Sequence, residues 1–200
     1  TQALLEDSYA DIDAWLADEV ESAFAAQESA AFVSGDGTAK PRGFLDYEIV
    51  AEASHVWGKI GSVAGDFTAV DAADQIIDLI YTPKSQFRAG ARFVMNRRTV
   101  SAVRKLKDVD GRYLWQPGSG GEPATIMGYA VTEMEDMPDI GTGNAAITFG
   151  DFRRGYLIAD RQGARVLRDP YSAKPYVLFY TTKRVGGGVQ NFDAIKAMVF

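Results

Sequence analysis

Cysteine is absent from the 200 residues, and histidine occurs once, at position 55. The first absence excludes disulfides and thiolate metal sites, as suits an intracellular protein. The second leaves His55 without partners at the spacing an acid–base or metal site needs, so its expected role is structural. No run of 18 apolar residues exists, and the opening Thr1-Gln-Ala-Leu-Leu-Glu6 has neither a charged n-region nor an apolar h-region. Neither a membrane segment nor a signal peptide is therefore expected. The chain also opens without an initiator Met, as a piece of something longer would. Not one Lys or Arg precedes Lys40, and 21 bases face 27 acids overall, a formal net charge of −6. General nucleic-acid binding is not expected, because neutralising phosphates takes a basic surface.

What is present is apolar side chain in quantity: 46% of residues are hydrophobic, enough for one large domain or two small ones with sizeable cores. The first third is best marked. Ile12, Trp15, Leu16, Val20, Ala23, Phe24, Ala30 and Ala31 recur at spacings of three and four, which predicts a helix over residues 11–32, about 22 residues and about 33 Å long, with one apolar stripe to bury. Asp13, Asp18, Glu21 and Glu28 occupy the other face, Asp7 or Ser8 caps the start, and Gly35 and Gly37 stop the helix.

Beyond Pro41, residues 43–50 are expected to form a strand, and the Gly-rich stretch 58–65 to cross between two parts of the fold. Asp71 and Asp74 open a second helix, buried through Ile76, Ile77, Ile80 and Tyr81 and ended by Thr82-Pro83. Residues 91–95 read as a buried strand, and Asn96 caps a third helix with Val100, Val103 and Leu106 inside. Residues 108–111 turn the chain, and 112–117 form an aromatic extended segment. From Gly118 the texture is strand and loop: a flexible loop at 118–123, strand segments around Gly128, and an acidic loop over 133–144. Strands follow at 145–149, 156–160, 165–168 and 176–184, with Gly186-Gly-Gly188 as a break and a closing strand at 194–199. Helix, strand, helix and strand over residues 71–117 imply a mixed α/β domain, and with the β-rich last half the fold class is α+β.

No constellation specifies a reaction. Gly118-Ser-Gly-Gly121 fits neither a nucleophile elbow nor a phosphate loop. Asp108-Val-Asp-Gly111 has Gly in the fourth place and Ser119 where a calcium loop needs its twelfth-position Glu. Glu133, Glu135, Asp136 and Asp139 offer an acid–base pair, but Gly and Pro around them favour a solvated loop. No cofactor or metal is expected. Charge, however, is segregated: residues 1–39 hold nine acids and no base, while residues 84–112 hold nine bases and two acids.

The motif Phe32-Val-Ser-Gly-Asp-Gly-Thr-Ala-Lys-Pro-Arg-Gly43 after an acidic helix is followed by Phe93-Val-Met-Asn96 and Leu106-Lys-Asp-Val-Asp-Gly-Arg-Tyr-Leu-Trp-Gln-Pro117. Gly128-Tyr-Ala-Val131, Met137-Pro138, Phe149-Gly-Asp-Phe152, Tyr156-Leu-Ile-Ala-Asp-Arg161, Asp169-Pro-Tyr171 and the glycines of 186–188 continue the series in order. The ordered series resembles the major capsid proteins of tailed phages with the Hong Kong 97 type of shell fold. That resemblance implies a peripheral domain over residues 1–64 and 156–190, with its spine helix at 11–32, and an axial domain over 65–155 and 191–200. The family's N-terminal arm and extended hairpin loop have no counterpart ahead of the spine here, so the 200-residue chain alone is expected to stay a monomer or small oligomer.

The implied function is structural, with no enzyme activity: a shell subunit that self-assembles into hexamers and pentamers around packaged DNA. It would work with a scaffolding segment, a portal and a maturation protease, in a virion assembled in the bacterial host cytoplasm. A gene transfer agent head or an encapsulin-like nanocompartment shell is the alternative, and a small-molecule hydrolase or binding protein a remote one. Asp18, Glu21 and Glu28 on the spine and Arg97, Arg98, Arg104 and Lys105 on the third helix are the candidate subunit contacts. The spine acids would meet bases of the same or an adjacent subunit, and the remainder would keep packaged DNA from adhering.

Overall fold

The computed structural model describes residues 12–69, 72–106 and 125–200. The expected caps at Asp7 or Ser8, the helix start at Asp71, and the turn, aromatic segment and Gly-rich loop over 108–123 lie outside these. The spine is α1 (Ile12–Ser34), and a three-residue 3-10 turn at Phe44–Asp46 leads to β1 (Ile49–Ala51). Another 3-10 turn at Glu52–Ser54 precedes β2 (Ile60–Ala64), followed by α2 (Ala72–Tyr81), α3 (Ser85–Arg88), β3 (Arg92–Met95) and α4 (Arg97–Arg104). The rest comprises β4 (Thr125–Ile126), β5 (Tyr129–Glu133), β6 (Ala145–Gly150), α5 (Phe152–Gly155), β7 (Tyr156–Asp169), β8 (Leu178–Val189) and β9 (Ile195–Val199).

Seven strands form one mixed sheet in the order β1-β2-β9-β6-β3-β5-β4, and β7 and β8 pair as a separate antiparallel ribbon. The sheet is the core because side chains alternate across it with period two. Phe93 and Met95 of β3, Ile147 and Phe149 of β6 and Met198 of β9 face one cluster with Ile76, Leu79 and Ile80 of α2 and Val100 and Val103 of α4. Val94, Ala145, Ile195 and Ala197 face the other, with Val33, Phe44, Ile60 and Tyr156. β6 is buried along its whole length, as a strand covered on both faces must be.

Several expectations change in three dimensions. Residues 43–50 are not one strand: Phe44, 3% exposed, turns in beneath the end of α1 and leaves only the three residues of β1 for pairing. Gly43 permits that turn, since a Cβ there would lie 2.3 Å from the Val33 carbonyl oxygen. Residues 60–64 are not a crossing but β2, paired in parallel with β1 and β9. The glycines at 186–188 do not break β8. They pair with residues 157–159 of β7, and a Cβ on Gly187 would fall 2.6 Å from the Tyr156 hydroxyl, so the bare backbone makes room for that ring. The segments 156–160 and 165–168 are one strand, kept continuous through irregular register near Gln162. α3 and α5 had no periodic signal, being a single turn each.

The acidic loop over 133–144 is a loop, but not the weakly anchored one its composition predicts. Asn96 holds it from two sides: its Oδ1 accepts from the Thr99 amide at 2.8 Å, capping α4, while its Nδ2 donates to the Met137 carbonyl at 3.0 Å and to Asp139 Oδ1 at 2.8 Å. Arg98 donates to Asp139 Oδ2 at 2.6 Å, and Met137 is 3% exposed. The Arg98 and Asn96 hydrogen bonds hold the Asp139 carboxyl below its usual pKa. Asp139→Ala should therefore speed amide exchange across residues 134–144 by about tenfold and leave the protection of β3 and β6 unchanged. Hydrogen–deuterium exchange with mass spectrometry checks this, and unaltered exchange in the loop refutes the anchoring role.

Candidate functional site

α1 lies along the β7–β8 ribbon rather than on the sheet. Leu16, Ala17 and Val20 of the helix line a narrow apolar gap against Val166, Phe179 and Thr181, and the aliphatic stem of Arg168 borders it. The apolar stripe is consequently only half covered, contrary to the expectation of full burial. Val33, at 0% exposure, is sealed in the core, whereas Trp15 is 59% exposed. A two-stranded ribbon is too narrow a floor for a helix of 23 residues. The ribbon itself keeps Leu167, Leu178 and Tyr180 at 62, 45 and 66% exposure. Such unpartnered apolar side chains mark surfaces that other molecules cover.

Glu28 of the spine finds a base within the chain: Lys183 Nζ of β8 lies 2.5 Å from its Oε1. Glu28 first, then Asp160 and Glu21 at longer range, hold the Lys183 ammonium above its usual pKa. Asp18 and Glu21 are exposed. Ser29 Oγ donates to Asp136 Oδ2 at 2.5 Å, tying the spine to the acidic loop. The basic candidates point elsewhere. Arg97 pairs with Glu135 at 3.5 Å and Arg98 with Asp139 at 2.6 Å, while Arg104 and Lys105 sit exposed at the end of α4.

Sequence reasoning missed the basic ribbon. Residues 156–190 hold six bases (Arg161, Arg165, Arg168, Lys174, Lys183 and Arg184) against Asp160 and Asp169, a bias visible in the composition of that segment. It also missed the pairing of Lys196 Nζ with Glu52 Oε1 and Oε2 at 3.0 and 2.8 Å, in the middle of the sheet. Near it, His55 Nδ1 stands 3.8 Å from Asp193 Oδ1, and Lys84 reaches Asp193 Oδ2 at 2.6 Å. The Lys84 hydrogen bond lowers the Asp193 pKa. Tyr156 donates its hydroxyl to the Arg42 carbonyl at 2.8 Å, and burial pushes that phenol up to about 12. These are structural ties. Among the described residues no three His, Asp or Glu side chains converge to hold a metal ion, and no helix is long and apolar enough to cross a membrane.

A spine helix lies beside a long ribbon joined to a mixed sheet, and helix and ribbon carry exposed apolar and charged faces. The model of the phage capsid family matches residues 1–200. The chain belongs to that family. As a capsid protein it is a structural subunit of a phage-like head. Among solved structures, the capsid of an empty GTA particle is 54% identical, with a TM-score of 0.93, over 100% of this chain and 70% of that one. The capsid of the native GTA particle is 54% identical at the same TM-score, over 100% of this chain and 69% of that one. The holo-SrpI encapsulin complex from Synechococcus elongatus PCC 7942 is 17% identical with a TM-score of 0.57, over 98% of this chain and 69% of that one, a likeness of fold. Among curated proteins nothing matches.

Proposed function

We propose that this capsid subunit builds the head of a gene transfer agent, tiling as hexamers and pentamers around packaged DNA. The observation that carries the reading is the 54% identity and TM-score of 0.93 to a GTA capsid over the whole chain, against 13 to 17% identity to five structures from Mycobacterium, Microbacterium and Gordonia phages. The subunit is a shell component without enzymatic activity, located in the particle and assembled in the bacterial host cytoplasm. A scaffolding segment, a portal and a maturation protease would be its partners during assembly.

Within the subunit, residues 1–64 and 156–190 form the peripheral unit and residues 65–155 and 191–200 the axial unit. The packing of α1 on the β7–β8 ribbon supports the peripheral unit, which joins the axial sheet through the pairing of β2 to β9. Asp18 and Glu21 of α1 and Arg104 and Lys105 of α4, all exposed, serve as subunit contacts. Electron microscopy of the full-length protein expressed alone tests the shell reading: closed particles with fivefold vertices are expected, and persistent monomers with no assemblies under any ionic condition refute it. Sequencing the nucleic acid of particles from the native host separates the two kinds of head. Fragments drawn from the whole host chromosome support the gene transfer agent, and a single viral genome overturns it in favour of a phage.

A further inference from the structure

Between the C-terminal half of α1, the loop after it and the root of the β7–β8 ribbon lies a cleft of about 470 Å³. Phe24, Ala31, Pro41 and Val185 supply apolar walls, and four cations, Lys40, Arg161, Lys183 and Arg184, share it with one acid, Glu28. Glu28 is already taken by Lys183, and Lys40 is 3.5 Å from the exposed Asp36. Arg161 and Arg184 are exposed and make no ion pair among the described residues. The cleft therefore carries unneutralised positive charge over an apolar floor, a surface complementary to carboxylates set beside an apolar or aromatic group.

The same chain presents such a group. On α1, positions 15, 18 and 19 fall on one face by the i, i+3, i+4 rule, the face turned away from the ribbon that Leu16 and Val20 cover. Trp15 is 59% exposed there, and Asp18 and Glu19 are exposed with no ion pair among the described residues. A helix cannot place this outer face in the cleft beneath its own inner face, so the two surfaces meet only between molecules.

We propose that Trp15, Asp18 and Glu19 of one copy dock into the Lys40, Arg161 and Arg184 cleft of a second copy. The two carboxylates meet the guanidinium groups, and the indole stacks on an arginine, the pairing for which Trp is the best aromatic partner. The contact is heterologous, each copy giving one surface and receiving the other, and such contacts close into rings or continue across a lattice. It deepens the shell-subunit reading and rests on it.

Charge exchange in the full-length protein tests the contact. Asp18→Arg with Glu19→Arg, and separately Arg161→Glu with Arg184→Glu, should each cut the yield of closed particles about tenfold at low salt, and the four changes together should restore it to within about threefold of the parent. If the parent assembles and either reversal leaves the yield unchanged, or the combination fails to rescue it, this contact is wrong while the shell reading stands. If the parent never assembles, both fall. Should a reversed subunit melt well below the parent, cysteines decide the matter, since the chain has none of its own. Glu19→Cys with Arg184→Cys should give a ladder of disulfide-linked chains longer than the dimer, which neither single variant can form. Absence of the ladder under oxidising, assembling conditions overturns the proposal.

Discussion

Phe149→Ala is expected to lower the unfolding free energy by about 4 kcal/mol and the melting temperature by about 10 °C, the largest loss of any single truncation in the sheet. Phe149 is at 0% exposure in the middle of β6, with the Phe93 ring centroid at 4.6 Å and Tyr129 edge-on at 5.0 Å. The cost falls in the upper part of the range for Phe→Ala because the site cannot collapse. Its backbone is paired to Phe93 of β3 on one side and Lys196 of β9 on the other, so the cavity stays open when the ring goes. Trp15→Ala is the contrast. At 59% exposure it removes an indole from water rather than from a core, and the free subunit should lose less than about 0.5 kcal/mol. Chemical denaturation of the purified subunit measures both. A loss under about 1 kcal/mol for Phe149→Ala, or equal losses for the two variants, would contradict this account of where the core lies.

The second large effect concerns the buried pair in the sheet, where the two partners are not equivalent. Lys196 is 2% exposed on β9, whereas the side chain of Glu52 keeps 39% of its surface in water. Glu52→Ala strands a buried ammonium, which costs about 3 kcal/mol, the low end for a broken buried pair because water can enter by the path Glu52 leaves. Lys196→Met replaces the ammonium with an apolar chain of similar length, and Glu52 turns out to solvent. That variant should lie within about 1 kcal/mol of the parent. Thermal unfolding of the two variants side by side reads the asymmetry. A Lys196→Met protein as unstable as Glu52→Ala would mean that the pair is held by its attraction and not by the need to avoid an unpaired charge.

These two sites differ in how far the chain alone announces them. β6 reads as a strand from Ala145-Ala-Ile-Thr-Phe149 with no aid from elsewhere, because a short run whose one polar residue is Thr148, bounded by Asn144 and Gly150, suits burial on both faces. α1, α2 and α4 are equally plain as helices, since their periodicity is local and the cap Asn96 supplies to α4 depends on a residue three positions away, but Tyr81, expected on the buried face of α2, is 68% exposed at its end. Lys196 gave no such notice. A lone lysine within Ile195-Lys-Ala-Met-Val199 reads as the outward position of an edge strand, and its burial follows from Glu52, 144 residues distant, arriving beside it. The acidic loop shows the same division. Its composition predicts loop correctly, but its anchoring comes from Asn96 and Arg98, which no pattern within residues 133–144 discloses.

By itself the sequence determined the three longer helices α1, α2 and α4, most of the strands and, through an ordered series of motifs, the capsid fold, because each of these depends on residues within a few positions of one another or on order along the chain. Tertiary structure alone decided that residues 60–64 pair as β2, that the glycines of 186–188 stay within β8 and that Glu28 meets Lys183. It also decided that the spine rests on a ribbon too narrow to bury it. Parallel pairing of distant strands, the packing of a ring over bare glycine backbone and the choice of partner for a charge are set by which surfaces the whole chain brings together, and that information is not carried by any one segment.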